Sequence, residues 1–227
     1  RVDISDPSAP VSLPKVNVPG VLVGFDVDAK RAITSQLVRT PVSDLTAEEC
    51  HTRFGMADWT AQGTCIGYLQ RVQLVRLTEA GAVIEDTYAL PESQQVSSIS
   101  LGEGVLFALT ASSRYDALRA TSEGRWPRAL HVLGGFDKGK LDVGQITIDS
   151  DVSRWSGPYN VSDLHAAGKR ALMLGWREGV IIDATDVLHP SIYKRVPLIA
   201  VAQGLDIHDQ DALLSAGDLG VQVIELD

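Results

Sequence analysis

AQGLDIHDQDALLSAGDLGVQVIELD, residues 202–227, reads as three short strands joined by tight turns. The apolar runs 204–207, 212–216 and 221–226 are rich in Val, Ile, Leu and Ala. Turns containing Asp/Gln and Gly/Asp separate them, as strand boundaries require. Earlier parts of the chain repeat this three-strand unit, and the fold follows from the repetition.

Two further segments set the register. Asp3-Ile-Ser-Asp-Pro-Ser-Ala-Pro10 and Asp183-Ala-Thr-Asp-Val-Leu-His-Pro190 share the pattern D-x-[ST]-D-x-x-x-P. In each, a β-branched run ends in an Asp/Ser/Thr turn, and a Pro stiffens the start of the next strand. An extended run follows both, 11–18 and 191–199. With the unit's strands labelled a, b and c and the extended run d, the chain divides as follows. Strands c and d of an incomplete first unit fall at 1–5 and 11–18. Unit one has its strands at 21–27, 31–38, 71–78 and 82–90, and unit two at 96–101, 105–110, 129–136 and 141–148. Unit three has 160–164, 170–174, 180–184 and 191–199, and unit four is the terminal a, b and c. The a and b strands are near-continuous apolar runs, expected when both faces are covered.

Repeats of roughly 40–50 residues, each of four antiparallel strands, are the mark of β-propeller blades. The expected fold is therefore all-β: about four blades over residues 1–227, as a portion of a larger propeller. A β-sandwich has the same strand count but no reason to repeat D-x-[ST]-D-x-x-x-P. A closed ring of four blades, completed by the strand at 11–18, is the other arrangement the count allows.

DISDPSAP…VNVPG, GVIIDATDVLHP and the terminal ALLSAGDLGVQVIELD resemble the LVIVP-repeat and related secreted bacterial β-propellers. The resemblance is good over unit four and residues 180–199, partial over unit one, and carried by spacing alone in unit two. It implies a propeller fold and an extracytoplasmic setting (periplasm, cell surface or secreted), and brings no catalytic residues.

The composition is that of an ordinary globular protein, with 44% hydrophobic and 22% charged residues. A formal charge of −9 argues against nucleic acid or an anionic membrane as the main partner, since both demand a basic surface. No apolar run reaches the roughly 18 residues of a membrane helix. The chain opens at Arg1 in what reads as mid-strand, and is expected to be part of a longer polypeptide. Its two cysteines, Cys50 and Cys65, are read as one disulfide closing a long loop, which implies an oxidising compartment.

Long connections on a rigid scaffold are where binding concentrates. The b-to-c connections are unequal, with insertions at 39–70 and 111–128 and short turns in units three and four. All four tryptophans fall on that side of the scaffold by this strand order: Trp59 and Trp126 in the insertions, Trp155 before unit three, and Trp176 in a b-to-c turn. Tyr115, Tyr159, Arg125 and Arg177 accompany them. These residue types dominate interaction hot spots, and Trp faces also stack on sugars. The competing reading is a small aromatic core beneath the insertions.

No cofactor is expected. The only metal site on offer is a structural divalent cation at the channel mouth, from Asp163, His165, Asp206 and His208. There is no Gly-x-Ser-x-Gly elbow and no phosphate-binding Gly loop. The acidic group Asp44, Glu48, Glu49 and Asp58 with His51 has the composition of a solvated loop. The expected function is a non-enzymatic interaction or scaffold module. Its partner would be a protein, the rest of the propeller, or a glycan. A polysaccharide-acting hydrolase or lyase and a metal-binding module are the alternatives.

Overall fold

The computed structural model describes residues 2–3, 6–12, 17–54, 57–78, 81–112, 126–150, 164–175, 177–202 and 204–227. A two-stranded pair, β1 (Val2–Asp3) and β2 (Val11–Ser12), comes first. Four antiparallel sheets then follow one another along the chain. Sheet I contains β3 (Val21–Asp26) and β4 (Arg31–Val42), an insertion of α1 (Ala47–Phe54) and β5 (Ala57–Trp59), then β6 (Cys65–Leu77) and β7 (Ala82–Ala89). Sheet II is β8 (Gln94–Leu101), β9 (Leu106–Ser112), β10 (Trp126–Gly134) and β11 (Asp142–Ser150). Sheet III is β12 (Leu164–Ala167), β13 (Arg170–Leu174), β14 (Glu178–Asp183) and β15 (Ser191–Pro197). Sheet IV has β16 (Gly204–His208), β17 (Asp211–Ser215) and β18 (Val221–Glu225). In sheets II, III and IV the strands pair in chain order as a meander, and sheet I does so through β3, β4, β6 and β7, with β5 added on β6.

The a, b, c, d division of the sequence matches these sheets strand for strand, with boundary shifts where tertiary context decides. The run 170–174 is β13 itself. Strand β12 starts only at Leu164 within the described residues, later than the expected 160. The largest shift is in unit one. There β4 continues to Val42 and β6 already begins at Cys65, pairing as far as Val42↔Cys65. Much of the insertion read over 39–70 is thus an extension of the sheet.

The sheets stack face to face, and one pair of positions repeats. Ile33↔Leu74 of sheet I is buried against Leu106, Ala108 and Leu133 of sheet II. Phe107↔Val132 of sheet II meets Ala171, Met173 and Ile182 of sheet III. Leu172↔Ile181 of sheet III meets Ala212, Leu214 and Ile224 of sheet IV. All six residues of these pairs are fully buried. Strands β9 and β13 are therefore apolar on both faces, which explains their unbroken hydrophobic runs. The fourth copy of the pair, Leu213↔Val223 on sheet IV, is 36% and 56% exposed.

The first strands of consecutive sheets touch. The Ala166 N–H donates to Ser100 Oγ at 2.9 Å, and the Glu103 N–H to the Gly168 carbonyl at 2.8 Å. Any side chain at Gly102 would put its Cβ 2.2 Å from that carbonyl, so the approach requires glycine. Between sheets II and III, Val187 leans on Gly134 and Gly144, and a Cβ at Gly144 would lie 2.0 Å from the Val187 carbonyl. Val187 belongs to the D-x-[ST]-D-x-x-x-P turn, whose second Asp does the same work in both copies. Asp6 accepts the Ser8 N–H and Asp186 accepts the Leu188 N–H. These are Asx turns that fix the exit from one strand before a Pro starts the next.

One buried polar cluster crosses from sheet I to sheet II. His131 on β10 is fully buried, its Nδ1 2.9 Å from Tyr88 Oη and its Nε2 2.6 Å from Gln94 Oε1. Thr110 Oγ1 donates to the Ala129 carbonyl beside it. Burial holds the His131 pKa below its ordinary value of 6.5. Below that pH the unfolded chain binds a proton that the folded chain refuses, so stability must fall as pH falls from about 6.5. Urea midpoints at pH 7 and pH 5 should show this loss, and His131→Gln should flatten the slope. An unchanged slope in the variant would assign the pH dependence elsewhere.

Candidate interaction surface

The turns β3–β4, β8–β9 and β12–β13 gather at one end of the stack with the β10–β11 and β14–β15 connections. The β4–β6 insertion and the β13–β14 and β17–β18 connections lie at the other end, because antiparallel strands alternate direction.

The insertion is a small, locked platform. Thr46 caps α1: its Oγ1 accepts the Glu49 N–H, while Glu49 Oε2 accepts the Thr46 N–H and hydroxyl. This is the reciprocal T-x-x-E box, and it holds the Glu49 carboxyl below its usual pKa. Cys50 on α1 is disulfide-bonded to Cys65 at the start of β6, with both sulfurs buried. Phe54 lies flat over Gly67, and together with Cys50 and Cys65 forms a separate core fringed by Val42, Leu45, Ala57 and Leu69. Arg53 makes a two-pronged ion pair with Glu92, tying the helix to the connection before β8. Tyr68 donates to Asp58, which raises the Tyr68 pKa.

Glu49 and Asp58 of the acidic group thus have structural partners within this platform. Trp59, at the end of β5, is 39% exposed while Phe54 fills the core. The competing reading, an aromatic core beneath the insertion, therefore describes Phe54. Arg177 lies in the β13–β14 connection, where its carbonyl accepts the Leu198 N–H. Trp126 opens β10 in pairing with Ser150, with its backbone alone described. Trp155, Trp176, Tyr115, Tyr159, Arg125 and Asp163 lie outside the described residues.

His165 and His208, expected together at the channel mouth, do not stand at equivalent positions in their hairpins. Ala167↔Arg170 closes the β12–β13 hairpin, with His165 opposite Leu172. His208↔Asp211 closes the β16–β17 hairpin. His208 therefore stands at its turn while His165 stands two residues back, level with Asp206. A period-2 strand hides such a slip in sequence, since a shift of two preserves the alternation. Among the described residues no group of three His, Cys, Asp or Glu side chains converges as metal ligands.

The opposite end holds a feature the sequence reading missed. A cavity of about 650 Å³ opens between the turns of sheets I, II and III, lined by Asp26, Asp28, Glu103, Asp137 and Asp186 and also by Lys169. Lys138 there is paired to Asp142 at 2.8 Å. The visible signal was that the a-to-b and c-to-d turns of several units each carry an acid.

No protein-family model matches the chain, and no curated protein matches it. Among the described residues no helix is long and apolar enough to cross a membrane.

Proposed function

We propose that the chain is a portion of a β-propeller whose sheets I to IV are successive blades, acting outside the cytoplasm as a non-enzymatic interaction or scaffold module. The touching first strands support the propeller reading, since sheets that meet along their first strands and stack in series fan around an axis. The likeness of the β14–β15 and β16–β18 sequences to LVIVP-type repeats points the same way. The Cys50–Cys65 disulfide favours an oxidising compartment, and the −9 charge favours partners other than nucleic acid.

The observation that carries the interaction reading is Trp59. A large apolar ring stays exposed on a platform that a disulfide, a capping box and an ion pair all hold rigid. Preorganised aromatic anchors of this kind dominate binding energy. Trp59→Ala should lower the melting temperature far less than Phe54→Ala, which should cost about 3–5 kcal/mol of stability. The direct test places a photo-crosslinking amino acid at position 59 in the producing cell, with Val83, exposed on β7, as the control position. A discrete adduct from position 59 and none from 83 supports the surface. No adduct, or the same adducts from both positions, removes it.

A further inference from the structure

His131 bridges the seam between sheets I and II from inside. Its ring lies fully buried on β10, between Tyr88 of β7 and Gln94, the first residue of β8. Gln94 Oε1 only accepts, so Nε2 carries the ring proton and Nδ1 accepts from the Tyr88 hydroxyl. One neutral tautomer satisfies both contacts. We propose that this bridge is a pH-operated latch: a proton taken up by His131 parts Tyr88 and Gln94 from the ring and frees the 90–93 connection, to which the α1 platform is tied.

A second ring proton has no place in the closed seam. It would point from Nδ1 at the Tyr88 hydroxyl, which already donates there. Among the described residues no carboxylate faces the ring to receive its charge. Tyr88 is the titratable side chain in contact with it, and Thr110 of β9, 3.2 Å from the same Gln94 oxygen, is neutral. Ala108 and Gln145 stand opposite His131 on β9 and β11, and Val72 of β6 stands opposite Tyr88.

The charged groups of these strands are engaged elsewhere. Glu85 of β7 is held by Arg31 and by Arg76 of β6, and Asp86 accepts the Leu141 N–H. Asp142 of β11 pairs with Lys138, and Arg128 of β10 donates to Ser97. Arg71 alternates with Val72 on β6 and so takes the face away from the seam.

The latch reaches the platform through a short piece of chain. The Leu90 N–H donates to the Gln70 carbonyl and the Gln94 N–H to the Pro91 carbonyl. Between them Glu92 forms the two-pronged pair with Arg53 of α1. Leu90 is buried in the apolar cluster that Tyr88 borders. Opening at His131 therefore loosens this connection without parting sheets III and IV, which share a separate cluster. The consequence for binding rests on the platform being the contact surface.

The test is hydrogen exchange on the intact protein at pH 7 and pH 5, with each rate divided by that of the unfolded chain at the same pH. Excluding a proton from a group of ordinary pKa 6.5 makes opening up to about twenty-fivefold more favourable at pH 5 than at pH 7. The Leu90 and Gln94 amides should lose up to that factor of protection. The Cys50 amide should lose no more than about fivefold, since the Arg53–Glu92 pair is exposed. Amides of β13 and β14 report unfolding of the whole chain. Leu90 and Gln94 should exchange faster than these and depend less on added urea, because a latch exposes little surface.

His131→Gln, which keeps a donor and an acceptor but does not titrate, should abolish the pH response at Leu90 and Gln94. Where that variant folds poorly the wild-type ring decides, since its nitrogen resonances should remain those of the neutral form below pH 6. Three results would each overturn the latch. They are a ring that titrates near 6.5 while Leu90 and Gln94 stay protected, a urea dependence at both amides equal to that of β13, and a pH response that survives in His131→Gln. Crosslinking from position 59 reads the surface and these amides read the latch, so either can fail while the other holds.

Discussion

Leu172→Ala should cost about 2–5 kcal/mol of unfolding free energy, and Leu213→Ala less than about 1 kcal/mol. The two leucines occupy equivalent positions, opposite Ile181 and Val223 on the third strands of sheets III and IV. Leu172 is fully buried between the two sheets, with Leu214 and Ile224 in the same core cluster, while Leu213 is 36% exposed. Removing three carbons at position 172 forfeits their transfer energy and leaves a void that two hydrogen-bonded sheets cannot collapse to fill. At position 213 water already reaches the side chain, so truncation leaves no void. Urea midpoints at constant denaturant slope measure the difference directly. Equal costs at the two positions would mean that Leu213 is covered in solution and that sheet IV is not the open end of the stack.

This asymmetry also marks what was legible in the sequence. Strand identity and order were readable because each short apolar run is bounded by turn residues and the D-x-[ST]-D-x-x-x-P segments tie two units together. The stacking was readable from β9 and β13, whose residues are apolar without alternation. Leu213 and Val223 carry the same residue types as their buried counterparts, so composition could not tell the open face from the closed ones. The platform at α1 was hidden for another reason. Thr46-Ala-Glu-Glu49 is a capping box, yet eight residues of helix inside an all-β repeat look like loop until Cys50, Phe54 and Cys65 are seen to share one core. The out-of-step His165 and His208 show the limit of motif matching. Two residues are invisible to a period of two, and only the hairpin closures at Ala167↔Arg170 and His208↔Asp211 fix the phase.

Replacing both Cys50 and Cys65 by alanine should loosen the platform far more than the stack beneath it. The bond closes a segment with a sequence separation of 15 residues, for which chain entropy gives about 3 kcal/mol. That segment contains α1, and an eight-residue helix is too short to persist on propensity alone. Its stability comes from the capping box, the Arg53–Glu92 pair and the contacts of Phe54. The exposed ion pair contributes no more than about 1 kcal/mol. The box contributes about as much. The disulfide and the burial of Phe54 are therefore the two largest constraints on α1, and loss of the disulfide should open the helix locally without unfolding the sheets. Hydrogen exchange can separate the two levels. The Cys50 amide, bonded to the Thr46 carbonyl, reports the helix, while the amides of β13 and β14 report the stack. In the double variant the position-50 amide should exchange roughly a hundredfold faster, as 3 kcal/mol of local stability implies. Those of β13 and β14 should keep their wild-type rates. If Trp59 depends on this rigidity, photo-crosslinking from position 59 should fall in the same variant. An unchanged position-50 amide would show that packing alone holds α1. Parallel acceleration in β13 would show that the platform and the stack unfold as one unit.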